Sequence, residues 1–296
     1  MSFYEEQAAN KRMTYALFAV FFVFLVVLGV LFSYIMDNYF ISIAFFFFAL
    51  IYMLVSYFYS GRIVAAISGA KPADPMRHKQ FINVVEEMAL ASGMPVPKPY
   101  VIDDTAMNAF AAGRDPEHSI ICATTGLIAK MNRAELTGVV AHEMSHIRNR
   151  DVLVMTMTSV LVGIAVLMSD FMLRMFLWGG VGSNRREGGG VAVVAIVVGL
   201  LLAILTPFIA QAIKFAISRK REYLADASGA QLTRYPEGLA SALEKIKGDS
   251  EVLEAANKAT AHLYIANPLK GQKLWFKGMF ATHPPIDDRI AKLRAM

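Results

Sequence analysis

His142 and His146 stand four residues apart, so on a helix their imidazoles share one face and can grip one metal ion. Glu143 directly follows the first histidine, where its carboxylate can take a proton from a water on that ion. A bound divalent ion polarises a carbonyl and brings the pKa of water down to around 7, so the set predicts hydrolysis at a carbonyl carbon. Two histidines leave such a site short, because catalytic zinc usually has three protein ligands and one water. The candidate third ligand is Glu222, in Arg221-Glu222-Tyr223-Leu224-Ala225-Asp226. Asp226, one helical turn on, is the candidate acceptor for the second ring N–H of a ligating histidine.

The elements that must position these residues follow from composition. The chain has 296 residues, 56% of them apolar, which points to membrane spans. Its net charge of +5 is read as orienting the chain in a bilayer, and nucleic acid is not an expected partner. Cys122 is the single cysteine, so there is no internal disulfide and no thiolate-rich metal site.

Thr14 to Met36 and Tyr39 to Tyr59 are apolar for the roughly 20 residues that a bilayer requires. Lys11-Arg12 precedes them and Arg62, Lys71, Arg77 and Lys79 follow, which places the N-terminus and residue 60 onward in the cytoplasm. Val152 to Trp178 and Val191 to Ile217 are a third and a fourth apolar segment, and Arg219-Lys220-Arg221 marks the return. Asp170 and Arg174 in the third segment are expected at its far interface. An antiparallel pair of these segments would carry Glu222 back to the membrane face that holds His142 and His146. The expected parts are thus residues 1–60, two transmembrane helices; 61–151, the first part of a catalytic domain; 152–217, a membrane hairpin; and 218–296, its second part.

Within the polar parts, Asp74-Pro75 is expected to open a helix with the apolar stripe Phe81, Val84, Val85, Met88 and Ala89, closed by Gly93. Tyr100–Ile102, Asn108–Ala112 and Ser119–Ala123 read as short strands, the last two flanking a turn at Gly113–Pro116. Asn132 and Glu135 have capping-box spacing ahead of the histidine helix. Pro236 opens a helix to Gly248, Ser250 is a candidate cap for another, and Asp287–Leu293 lies in a last helix.

The His-Glu-x-x-His pattern is that of zinc peptidases. Together with Asn108-Ala109-Phe110-Ala111, Glu222-x-x-x-Asp226 and Thr282-His283-Pro284-Pro285, it makes the whole chain resemble the HtpX family of bacterial membrane proteases, relatives of the CAAX prenyl proteases. The resemblance implies a mainly α membrane protein with a small β-sheet: four transmembrane or intramembrane helices and a cytosolic zincin-like domain. It implies one Zn2+ on His142, His146 and Glu222, with Glu143 as base and then acid. It also implies an edge strand at Asn108, Ala109, Phe110 and Ala111 that can pair with a substrate backbone. The family's work is quality control and stress response in the bacterial cell membrane, cutting misfolded or damaged membrane proteins at the cytoplasmic face.

Other classes predict other patterns. A membrane-anchored chaperone with structural zinc calls for a fourth protein ligand, and none stands at suitable spacing. A metal transporter calls for ligands near mid-membrane, whereas these fall at segment ends. His283 and Arg289 are candidates for an oxyanion contact or for a structural role. His78, His118 and His262 are expected to be structural or solvent-exposed, and Cys122 a small buried apolar residue.

Overall fold

Residues 13–36 and 38–61 carry no charged side chain, and two long helices, Phe3–Ile35 and Phe40–Ile67, take up most of the two runs. The structure, a computed structural model, describes residues 3–35, 37–163, 199, 219–255, 260–266, 268 and 284–296. Helices α1 (Phe3–Ile35) and α2 (Phe40–Ile67) pack as a hairpin, turned at Asp37 with φ 48°. Phe21 packs on Tyr52 and Phe22 on Phe46, each pair 5.6 Å between ring centroids. Both helices contain apolar stretches long enough to cross a membrane. The helix continues past the expected end at Tyr59 because Ser60, Gly61, Val64 and Ala65 are buried, with Val64 and Ala65 packed against the sheet.

That sheet has the order β1-β2-β4-β3, with β1 (Lys71–Pro72), β2 (Lys98–Ile102), β3 (Ala109–Gly113) and β4 (Ser119–Thr124). The β2–β4 pairing is parallel and the other two are antiparallel. Period-two alternation sends Ala109, Ala111, Ile121 and Ala123 to one face, and Phe110, Ala112, Ile120 and Cys122 to the other. The first set packs on α3 (Lys79–Ser92) and α5 (Arg133–Arg148); the second packs on α2 and α6 (Asp151–Gly163). Covered on both faces, β3 and β4 are buried throughout, unlike strands of a sheet with one face in water.

Helix α3 buries the five stripe residues expected and ends at Gly93, whose φ of +65° suits glycine. It starts later than Asp74-Pro75 suggests. Asp74 accepts hydrogen bonds from the Met76 and Arg77 N–H groups at 2.8 and 3.0 Å, so it caps a turn, and the helix begins at Lys79. Short α4 (Thr125–Lys130) leads to α5, which opens on the capping box: Asn132 Oδ1 accepts from Glu135 N–H at 2.9 Å, and Glu135 Oε2 from Asn132 N–H at 2.8 Å.

Arg150, with φ 62°, turns the chain from α5 into α6. This start of the third apolar segment is buried in protein: Leu153 and Met157 meet Phe18 of α1, and Gly113 N–H donates to Thr156 Oγ1 at 3.0 Å. The rest of that segment with Asp170 and Arg174, nearly all of the fourth, and His283 lie outside the described residues. The chain is described again in α7 (Arg219–Thr233), α8 (Pro236–Gly248) and α9 (Ile286–Arg294). Arg221 Nε lies 3.8 Å from Asp151 Oδ1, so the start of α7 stands beside the start of α6. Ser250 caps no helix: residues 249–253 are irregular, and Asp249 instead accepts from the Met107 N–H at 2.7 Å.

Candidate metal centre and active site

Helix α5 is buried from Leu136 to Ile147 apart from Thr137, so its histidines cannot reach bulk water and their partners must come from the protein. Helix α7 supplies them. Glu222, Asp226 and Gly229 recur at four and three residues, one face of a helix, and that face lies on α5. A Cβ at Gly229 would lie 3.1 Å from the His142 backbone nitrogen, so glycine permits the close approach.

His142 Nδ1 lies 2.9 Å from Asp226 Oδ1, and His146 Nδ1 lies 3.1 Å from Asp151 Oδ2. Carboxylates accept, so each ring carries its proton on Nδ1 and turns an Nε2 lone pair inward. The two Nε2 atoms are 3.2 Å apart, and Glu222 oxygens lie 3.9 Å from the first and 3.5 Å from the second. Three electron-pair donors directed at one point repel unless a cation joins them. Two nitrogens each about 2.0–2.1 Å from a tetrahedral ion would be about 3.3 Å apart, close to the spacing found. His142, His146 and Glu222 therefore fit a divalent metal, and among the described residues they form the single such group.

The surroundings act differently on the two histidines, and burial holds the His142 pKa below its usual value. Burial by itself would lower the His146 pKa, but its hydrogen bond with Asp151 and the charges of Glu222, Asp151 and Glu143 lift it to about 9. Burial pushes the Glu143 carboxyl up to about 7; Glu222 adds to the rise, while His146, Arg289 and the Ala111 N–H oppose it. Asp226 is buried, which favours its neutral form, yet the Arg289 guanidinium and His142 hold it down to about 2.

Arg289 enters from α9 and donates to Asp226 through Nε at 2.8 Å and Nη2 at 2.7 Å, with Nη1 3.5 Å from Glu222 Oε2. Its place is beside Glu222, fixing Asp226. Asp151, assigned no role from sequence, orients His146 as Asp226 orients His142. The available signal was a carboxylate five residues past the second histidine, heading an apolar helix.

Strand β3 is the edge of the sheet, as the edge-strand expectation requires, but its outer side is already engaged. Asn108 lies just before it. Ile265 N–H donates to Ala109 C=O at 2.9 Å, and Ile265 C=O accepts from Arg289 Nη1 at 2.9 Å. Asn108 Nδ2 donates to Ala266 C=O at 3.0 Å, and Tyr264 packs edge-on to Phe110 at 5.2 Å. Residues 264–266 thus lie along Asn108, Ala109 and Phe110. Ala111, next along the strand, turns its N–H to Glu143. His142, His146, Glu222, Glu143, Asp226 and Arg289 are all 1–3% exposed.

The remaining candidates lie elsewhere. His118 pairs with Asp115 at 2.7 Å on the surface, and His78 Nδ1 accepts from the Asp74 N–H at 3.0 Å. His262 is buried against Ser159 and the Met155 carbonyl, a structural place, and Cys122 is fully buried.

A helix bearing two histidines and a glutamate, a glutamate from a second helix and an edge strand alongside together define a metallopeptidase type of site. The profile described as Peptidase family M48 matches residues 75–296. A protease HtpX homolog of Caldanaerobacter subterraneus subsp. tengcongensis is 44% identical over 295 residues, covering 99% of this chain and 97% of that protein. Another from Thermoanaerobacter pseudethanolicus is 44% identical with the same coverage, and one from Listeria monocytogenes is 40% identical over 99% of both chains. The crystal structure of S. mikatae Ste24p aligns at 19% identity and a TM-score of 0.49, over 98% of this chain and 66% of that one. The chain belongs to peptidase family M48 and, within it, to the HtpX proteases.

Proposed function

We propose that the protein is a zinc-dependent endopeptidase of the bacterial cell membrane that cuts misfolded or damaged membrane proteins at the cytoplasmic face, as part of quality control under stress. The observation that carries the chemistry is the convergence of His142 Nε2, His146 Nε2 and Glu222, with Glu143 on the same helix. Two histidines and a carboxylate suit zinc. When bound, zinc supplies a Lewis acid that activates water and polarises the scissile carbonyl.

The chain's own groups do the rest. Glu143 takes a proton from the attacking water and hands it to the leaving amine; a carboxyl near neutrality suits both transfers. Asp226 and Asp151 fix the imidazoles, and Arg289 fixes Asp226. An extended substrate pairs with the backbone at Asn108–Ala111, which reads main chain more than side chains and suits broad specificity. To reach it, the substrate displaces residues 264–266, whose main chain now holds Ala109 C=O and Asn108.

In the same reading, residues 1–60 and 152–217 are the membrane parts, and 61–151 and 218–296 form the cytosolic domain. The two apolar helices α1 and α2 and the basic residues flanking them support it. The test compares wild type with Glu143→Gln, both loaded with zinc, on casein as an unfolded substrate. The variant should bind zinc equally and lose about 10²–10⁴-fold in activity, the scale of general acid–base catalysis. Equal digestion by the two would remove Glu143 as the base.

A further inference from the structure

A cavity of about 630 Å³ lies where α2 meets the sheet, on the side of β2 and the β3–β4 turn. Its volume falls in the range of about 300–1,000 Å³ usual for small-molecule sites. Its wall changes character along its length. Leu54, Val55 and Phe58 of α2 form the apolar end, and Arg62 of α2 with Lys98 of β2 and Arg114 of the turn makes the other end basic.

Arg114 is committed to the scaffold: it donates to the Phe58 carbonyl at 2.9 Å, pairs with Asp115 at 3.2 Å and lies over the Phe58 ring. His118, also in the lining, is held by Asp115. Arg62 and Lys98 are both exposed and, among the described residues, neither forms an ion pair; Arg62 lies over the Tyr59 ring, 5.8 Å from its centroid. Glu117 is the one carboxylate in the lining. Among the described residues, Arg62 and Lys98 against Glu117 leave the lining with a positive surplus.

Depth decides what can fill it. A hydrocarbon core of roughly 30 Å takes about 20 residues of helix, which from Phe40 ends at Tyr59. Tyr39 and Phe40 at one end, and Tyr57, Phe58 and Tyr59 at the other, stand where interfacial aromatics anchor a span. Leu54 and Val55 then lie level with acyl chains and Arg62 one turn out, among headgroups.

We propose that this cavity is a binding site for an anionic phospholipid, its phosphate between Arg62 and Lys98 and the top of an acyl chain along Leu54, Val55 and Phe58. The proposal rests on α2 lying in a bilayer and is independent of the peptidase chemistry. A guanidinium and an ammonium on one phosphate are charge-assisted contacts, strong where water is partly excluded. A zwitterionic headgroup brings its own cation to the same place and loses that advantage.

The test uses the full chain in a non-ionic detergent, titrated with dihexanoyl phosphatidylglycerol, dihexanoyl phosphatidylcholine or glycerol 3-phosphate, with binding read by native mass spectrometry. Phosphatidylglycerol should bind about tenfold or more tightly than either other probe, about 1.4 kcal/mol or more in binding free energy. Arg62→Gln with Lys98→Gln should abolish the preference, and Arg62→Lys with Lys98→Arg should keep most of it. Leu54→Trp, at a position 50% exposed and tolerant of change, should weaken phosphatidylglycerol binding by filling the apolar end. Casein cleavage by all variants in detergent should match wild type, showing that they fold. Equal binding of the two lipids, retention of the preference in the Gln pair, or glycerol 3-phosphate binding as tightly as the lipid would overturn the proposal.

Discussion

Arg289 donates two hydrogen bonds to the carboxylate of Asp226, at 2.8 and 2.7 Å, and the same carboxylate receives His142 Nδ1 at 2.9 Å. The last helix is thereby tied to the first histidine through one buried acid. Removing one partner of such a pair leaves an uncompensated charge in the interior, so Arg289→Met should lower stability by about 3–5 kcal/mol. Arg289→Lys should recover only part, because an ammonium cannot present the planar fork. Thermal unfolding in detergent measures both; an unchanged midpoint in the Met variant would show that the pair contributes nothing.

Asp151 does for His146 what Asp226 does for His142. Carboxylates behind ligating histidines typically contribute 10–100-fold to metal affinity, so Asp151→Asn should weaken zinc binding by roughly that factor. Competition with a chromophoric chelator gives the affinity. Wild-type affinity in the variant would mean that His146 needs no partner to present Nε2.

Much of this was legible locally. The α3 stripe, the Asn132–Glu135 capping box and the ends of α8 depend on neighbours within one or two turns, and all stand where sequence puts them. Non-local relationships were not. Hydropathy cannot tell which faces of an apolar helix meet protein, so nothing in the sequence signalled that the described residues of α6 are covered by the rest of the chain. Asp74 carries the cap signal, but the turn it caps precedes the helix. The His142, His146 and Glu222 group was legible because the residue types that can hold a metal are few. The pairing of Ile265 with Ala109 has no local pattern, since any backbone can supply it.

Under the proposed docking of substrate on Asn108–Ala111, that pairing makes opening of residues 264–266 a step before cleavage. Ile265 is 2% exposed and anchored in the main core. Truncating a buried isoleucine to alanine costs about 2–5 kcal/mol, which would be taken from the closed form. Ile265→Ala should therefore cleave casein several-fold faster than wild type at a temperature where both remain folded. Activity that only falls, in step with a lower unfolding midpoint, would mean that the segment is scaffold and not an obstacle.

Glu135 links stability to pH away from the metal. Its burial favours the neutral form, but hydrogen bonds from Lys245, the Asn132 N–H and Ser241 outweigh this and hold the carboxyl below its usual value. A depressed folded pKa adds stability above the unfolded value, and that stability is lost as pH falls through the folded one. Wild type should exceed Glu135→Gln by about 1–3 kcal/mol at pH 7, the cost of losing a buried charged hydrogen bond from Lys245 while the capping box is kept. Denaturant melts should show the gap shrinking below about pH 4.5, near the ordinary glutamate value. A gap constant from pH 7 to pH 3 would contradict the assignment.

The central claim is that Glu222, returned to α5 by α7, completes a three-ligand zinc site with His142 and His146. Metal content by mass spectrometry on purified wild type and Glu222→Ala tests it directly. The account predicts one zinc per wild-type chain and little or none retained by the variant after equal dialysis. An unchanged zinc load in Glu222→Ala would contradict it.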